Sequence, residues 1–271
     1  MPALKWRDRL ALEVQSLLGW AAFAIVGPSA VFTMRVARGN RVEGIAEARR
    51  VYREALASGR PTLVCANHLT MVDSAFLHHA LAPLGDYLRD FHRFSWNVPA
   101  TEHFTKNLFL RVLVYLAKCV PIDRAGDTEA RKAVLDRLAY LVSRGEIVTL
   151  FPEGGRSRTG RVDVDNVTYG VGQILSTLDR PQVFCAYLRG DRQDSYSTVP
   201  AFGDTLRLRV AILEPTTNET GLRAARDLSR QVIAKLKVME NDLIAEREAQ
   251  RVSGDRDEAC FSCDESTIFV W

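Results

Sequence analysis

Short apolar runs of strand length recur through this chain at 62–66, 94–98, 119–122, 147–151, 183–188 and 206–213, rich in β-branched and aromatic residues. Helix-patterned segments separate them, around 44–58, 104–117, 127–143 and 169–178. This alternation leaves few architectures open and predicts an α/β fold, a mixed, largely parallel sheet flanked by helices. Within 127–143, Asp127 or Thr128 supplies the cap, while Ala133, Leu135, Leu138 and Leu141 form the apolar side. A long amphipathic helix closes the domain, its stripe carried by Leu222, Leu228, Val232, Leu236, Met239 and Leu243. That spacing sustains no heptad seam, so the stripe reads as core. The expected division is an N-terminal helical segment at 1–43, one α/β domain at 44–249 and a tail at 250–271.

The amino end has its own constraint. No charged residue occurs from 17 to 34. That length is at the lower limit for a membrane span, and Gly19, Gly27 and Pro28 interrupt it. Pro28 is expected to break it into two short apolar pieces, giving a helix or helical hairpin in the membrane interface. A cleaved signal peptide is the alternative, with 17–26 as its apolar region and Ser29 and Ala30 near the cut; acidic Asp8 and Glu13 count against it. Arg35, Arg38, Arg41, Arg49, Arg50 and Arg53 follow, placed either to meet anionic headgroups or to line a solvated helix face.

Composition narrows the partners. Across 271 residues, 36 basic side chains against 33 acidic ones leave a net charge of +3, without the concentrated basic surface that nucleic-acid binding needs. The five cysteines are odd in number and lie mostly in apolar runs, which favours a reducing compartment. Cys260 and Cys263 form one C-x-x-C with no second pair nearby, so no metal site is expected. His78, His79, His92 and His103 lack metal-ligand spacing and read as packing or surface residues.

Three strand-end motifs carry the chemistry. Asn67-His68-Leu69-Thr70-Met71-Val72-Asp73 follows the first strand and sets a histidine and an aspartate five positions apart. On one continuous helix the two would diverge, so they meet only if His68 precedes the helix and Asp73 opens it. A carboxylate holding one ring nitrogen fixes the tautomer and frees the other nitrogen as a base. Equally, His68 could satisfy a strand end while Asp73 caps a helix. Thr70 and Ser74 keep a covalent route formally open. Phe151-Pro152-Glu153-Gly154-Gly155-Arg156-Ser157-Arg158-Thr159-Gly160 follows a later strand, and its paired glycines and arginines suit an anion-binding turn. The Gly-Lys-Ser/Thr ending of a nucleotide P-loop is absent, and a plain surface turn is the alternative. Between these, Val120-Pro121-Ile122-Asp123-Arg124 brings another arginine to a strand end.

In this order, the His68-x4-Asp73, Ile122-Asp123-Arg124 and Phe151-Pro152-Glu153-Gly154 elements resemble the glycerolipid acyltransferase family that includes bacterial 1-acylglycerol-3-phosphate acyltransferases, over roughly residues 60 to 160. The resemblance implies transfer of a fatty acyl group from acyl-CoA or acyl carrier protein to a lysolipid hydroxyl at the cytoplasmic face of the inner membrane. It implies His68 as base, Asp73 as its orienting partner, and Asn67, Arg124, Glu153, Gly154, Gly155 and Arg156 around the acceptor. Membrane lipids and the thioester are the implied partners, with no metal or redox cofactor. The chain departs from the family pattern at Gly155, where a threonine is usual, and at Val162-Asp163-Val164-Asp165, where an apolar, Lys-rich segment is usual. Aspartates near a phosphate would repel it, which leaves the acceptor open: lysophosphatidic acid first, with a lyso-aminolipid or specialised lipid close behind. If the same pair activated water, the protein would be a thioesterase or lipid hydrolase; were the pair structural, it would be a lipid-binding protein.

Overall fold

The computed structural model describes residues 4–103, 107–123 and 125–264. Six strands make one sheet: β1 (Arg41–Glu43), β2 (Thr62–Ala66), β3 (Trp96–Asn97), β4 (Val148–Leu150), β5 (Gln182–Gly190) and β6 (Thr205–Leu213), in the order β1-β6-β5-β2-β4-β3. Every pairing is parallel except β5 with β6, so the mixed, largely parallel sheet is as the alternation implied. Side chains alternate across the two central strands, as a pleated backbone requires. Leu63, Cys65, Val183 and Cys185 face a layer built from α6 (Thr128–Ser143), α7 (Gly170–Leu175) and α8 (Gly221–Asp264). Val64, Ala66, Phe184 and Ala186 face α2 (Ile45–Ala57) and α3 (Asp73–Leu81). Both faces are covered, which is why β2 and β5 are buried at every residue. Asp127 caps α6, accepting from the Ala130 N–H at 2.6 Å.

Several boundaries differ from the sequence pattern for physical reasons. The 119–122 run makes only isolated bridges, Asn97 to Cys119 and Ala100 to Ile122, and β3 shrinks to two residues. Lys118 adopts φ +51° just before that run and turns the chain, while Pro121 offers no N–H to a ladder. The Lys118 ammonium is fully buried, donating to Phe91 O at 3.0 Å and Glu146 Oε2 at 2.7 Å. Glu146 also holds the Trp96 indole at 2.9 Å and His92 Nδ1 at 2.6 Å, an acidic partner that no spacing revealed. His78 is buried and bonds Ser95 at 2.7 Å, and burial lowers its pKa to about 4. In α8 apolar burial starts at Ala224 and Ala225 and the larger stripe at Leu228; Leu222 is 77% exposed in the first turn. The helix continues past 249 to Asp264 where a tail was expected, and the side chains of Cys260 and Cys263 lie outside the described part.

The N-terminal segment corrects the expectation of a break at Pro28. Helix α1 (Trp6–Phe32) runs through the proline, and a π-helical turn extends it to Ala37. Pro28 removes one helical N–H, but hydroxyls after it add bonds: Ser29 Oγ donates to Ile25 O across the proline and Thr33 Oγ1 to Ser29 O in the next turn, both at 2.8 Å. The helix is long and apolar enough to cross a membrane by length and composition. Its narrow inner stripe, Leu12, Gln15, Gly19, Phe23, Gly27 and Met34, is nonetheless buried against the domain. Phe23 enters an aromatic cluster with Tyr87, Phe91 and Phe94, at 5.0–5.7 Å between ring centroids. Gln15 Nε2 donates to Tyr115 O and Cys119 O, each at 2.9 Å, clasping the end of α5 (Leu108–Leu116). Outward, α1 presents Leu17, Trp20, Ile25 and Phe32, and α5 presents Leu108 and Phe109 at 72% and 73% exposure. Of the expected basic stretch, Arg50 is engaged by Glu47 and Glu54, Arg38 donates to Pro200 O and Arg49 to His79 O.

Candidate active site

The carboxyl ends of β2 and β4 deliver the first and third motifs to one edge of the sheet, where ligands of open α/β sheets gather. Asn67 comes first after β2. Its amide donates to Leu188 O at 2.9 Å and accepts from Leu188 N–H at 2.7 Å, so both polar ends are spent on extending β2 against β5. That clamp sets where the chain leaves the sheet.

His68 follows, then a tight loop into α3. Asp73, the first residue of that helix, is buried. Its Oδ2 accepts from His68 Nδ1 at 3.1 Å, from the Leu69 N–H at 2.7 Å and from the Thr70 N–H at 2.8 Å, and its Oδ1 accepts from the Thr70 hydroxyl at 2.6 Å. With the Asp73 carboxyl on the Nδ1 side of the ring, the tautomer that donates from Nδ1 leaves the Nε2 lone pair facing away from it. The His68 ring lies parallel to Phe151, 4.0 Å between centroids, which fixes its plane. The side chain is 17% exposed, and Nε2 bonds to none of the described residues. Such an arrangement can take a proton from an external hydroxyl.

The third motif bends back over His68. The Gly154 N–H donates to Phe151 O and the Ser157 N–H to His68 O, both at 2.9 Å, pinning the two ends of the turn. Gly154 sits at φ +66°, and a Cβ there would lie 2.2 Å from Thr168 Cγ2, so only glycine fits. Thr168 is held by two bonds of 2.9 Å to Pro152 O. Between the pinned ends, the N–H groups of Gly155 and Arg156 have no acceptor among the described residues. Successive free amides of this kind form an anion-binding concavity. Glu153 is buried at 6% exposure, and its Oε1 lacks a partner. Burial pushes its carboxyl up to about 7, against the opposing pull of the Asp163 and His68 N–H groups. Asp163 and Asp165 are exposed, and the Asp163 carboxylate closes its own turn by accepting from the Asp165 N–H at 3.0 Å.

Arg156 donates Nη1 to Ser197 O at 3.0 Å, and its guanidinium lies 5.2 Å from the centre of the Tyr196 ring. Neither residue belongs to a motif; both come from the connection between β5 and β6. Only long-range contact brings them to the site, and nothing in their local sequence signals it. Arg124 lies outside the described residues. Among the described residues no group of three or more His, Cys, Asp or Glu is placed to hold a metal.

A family model described as Acyltransferase matches residues 48–187, half of the chain, from within α2 to within β5, and the chain belongs to that glycerolipid acyltransferase family. The match takes in His68, Asp73 and Glu153 through Arg156, and ends before the β5–β6 connection. A comparison with curated proteins returns no match.

Proposed function

We propose that this acyltransferase moves a fatty acyl group from acyl-CoA or acyl carrier protein to the free hydroxyl of 1-acylglycerol-3-phosphate, giving phosphatidic acid. His68 Nε2 takes the hydroxyl proton as the oxygen bonds to the thioester carbonyl carbon. The tetrahedral oxyanion collapses, the C–S bond breaks, and the leaving thiolate recovers the proton from His68. Asp73 holds the imidazole in the tautomer this needs and stabilises the imidazolium that forms. The free N–H groups of Gly155 and Arg156, with the Arg156 guanidinium, suit the acceptor phosphate. The observation carrying this reading is the bond from Ser157 N–H to His68 O, which sets the anion turn directly against the base.

The apolar outer faces of α1 and α5 support a lipid acceptor. Because α1 is buried along one stripe from Leu12 to Met34, we read it as lying in the membrane interface at the cytoplasmic face, with the domain, rather than as an independent span.

The test is transfer from labelled acyl-CoA and acyl carrier protein to lysolipids with and without phosphate, with His68→Ala in parallel. Diacyl product from the phosphorylated acceptor, lost in the variant, is the expected result. Acylation of unphosphorylated acceptors alone would move the assignment to a specialised lipid. Free fatty acid without acylated lipid would make the enzyme a hydrolase.

A further inference from the structure

The connection between β5 and β6, residues 191–204, does more than join two antiparallel strands. Ser197 pairs with Thr70 in an isolated parallel bridge: its N–H donates to Leu69 O at 2.9 Å, and the Met71 N–H donates to Thr198 O at 3.1 Å. These bonds fall inside the loop that carries His68 to Asp73. The carbonyl of the same Ser197 accepts Arg156 Nη1 at 3.0 Å, and the neighbouring Tyr196 sets its ring 5.2 Å from the guanidinium. Gly160, beyond Arg156, presses so close to Asp194 O that a Cβ would sit 2.3 Å from it. One two-residue step of the connection therefore touches both halves of the site: the loop of the base and the arginine of the anion turn.

We propose that Tyr196 and the Ser197 carbonyl position Arg156 for the acceptor phosphate, making the β5–β6 connection a determinant of acceptor selectivity. An arginine on an exposed turn samples many rotamers, and holding it in one geometry costs side-chain entropy at the moment of binding. An aromatic face and one carbonyl acceptor restrict it beforehand, leaving its remaining N–H groups for a phosphate monoester. The Tyr196 ring is 45% exposed, so the contact forms at the surface of the site. The connection lies outside the residues that the family model matches. The proposal rests on the assignment of Arg156 to the acceptor site.

The experiment compares Tyr196→Ala, Tyr196→Phe, Arg156→Ala and the double variant Tyr196→Ala/Arg156→Ala in full-length protein. The readouts are KM and kcat for 1-acylglycerol-3-phosphate, kcat/KM for monoacylglycerol, and equilibrium binding of glycerol 3-phosphate. Tyr196→Ala is expected to raise KM for the phosphorylated acceptor roughly 3- to 10-fold, the range of a cation–π contact, with kcat and monoacylglycerol turnover retained. Tyr196→Phe restores wild-type KM, and in the Arg156→Ala background the loss of Tyr196 adds nothing. An equal effect with and without Arg156, equal losses on both acceptors, or failure of phenylalanine to restore KM would overturn the proposal. Glycerol 3-phosphate binding separates it from the function above. Binding that weakens only through Arg156 sustains the positioning role even if lysophosphatidate is not acylated, and wild-type protein that binds no glycerol 3-phosphate at millimolar concentration refutes it.

Discussion

Asp73 Oδ2 accepts three bonds at once, from the His68 ring and from the backbone N–H groups of Leu69 and Thr70. The oxygen that orients the imidazole is thus also the one that folds the loop carrying it. Asp73→Asn can satisfy the backbone donors with its carbonyl oxygen but cannot receive the Nδ1 proton at the same time with equal strength. Turnover is expected to fall about 10²- to 10⁴-fold, the usual contribution of a positioned base, with a small change in melting temperature. Asp73→Ala should lower both. Comparable activity in Asp73→Asn and wild type, measured as initial rates of acyl transfer, would remove the orienting role.

Gly154→Ala meets two obstacles. The left-handed backbone costs a non-glycine residue about 1–2 kcal/mol, and Thr168 Cγ2 stands 2.2 Å from the new Cβ. The variant should melt lower and bind phosphorylated acceptor poorly, because the turn carrying the free amides must shift. Adding Thr168→Ser, which removes Cγ2 and keeps the hydroxyl bonded to Pro152 O, should recover part of the stability. If the second change recovers none, the contact with Thr168 is not what limits the turn.

Glu153 links stability to pH. Burial raises its carboxyl from the ordinary value of 4.5 to about 7, so the folded protein penalises the ionised form. Stability from this group is fully present below about pH 4.5 and is lost as pH rises through about 7. Glu153→Gln carries no charge and should be more stable than wild type at pH 8, by on the order of 2 kcal/mol, with the difference shrinking toward zero near pH 4.5. Urea denaturation at several pH values measures this directly, and a pH-independent difference would contradict it.

The joint apolar surface of α1 and α5 predicts a membrane effect without unfolding. Leu108 and Phe109 are both largely exposed, so replacing both with aspartate leaves the core intact. Association with anionic phospholipid vesicles should weaken by about 10²-fold or more, given about 1.5–3 kcal/mol for each buried large apolar side chain. Vesicle flotation with unaltered circular dichroism is the check. Unchanged flotation would take α5 out of the membrane contact.

Much of the sheet was legible because buried parallel strands are continuous apolar runs, as β2, β4 and β5 are, while β6 begins with the Leu-Arg alternation of a strand half-open on one face. The His68–Asp73 geometry was legible too, since five-residue spacing has one workable solution at a loop-helix junction. Other features depend on partners distant in sequence. The 119–122 run has strand-like content, yet Lys118 turns the chain to reach Glu146, and no local pattern encodes that ion pair. Pro28 signals a break, but the packing of Phe23 and Met34 on either side holds the helix together. Tyr196 and Ser197 reach Arg156 across 40 residues or more, in a connection with neither periodicity nor motif.

The clasp of Gln15 on Tyr115 O and Cys119 O, together with Phe23 among three aromatic rings, has a practical corollary. Removing the N-terminal helix, a usual route to a water-soluble fragment, would here strip a wall from the globule and bare the aromatic socket of Tyr87, Phe91 and Phe94. A purification strategy for this protein should keep the whole helix and supply it with detergent or nanodiscs. Solubility is better sought by recolouring the outer surface of α1 than by cutting it away.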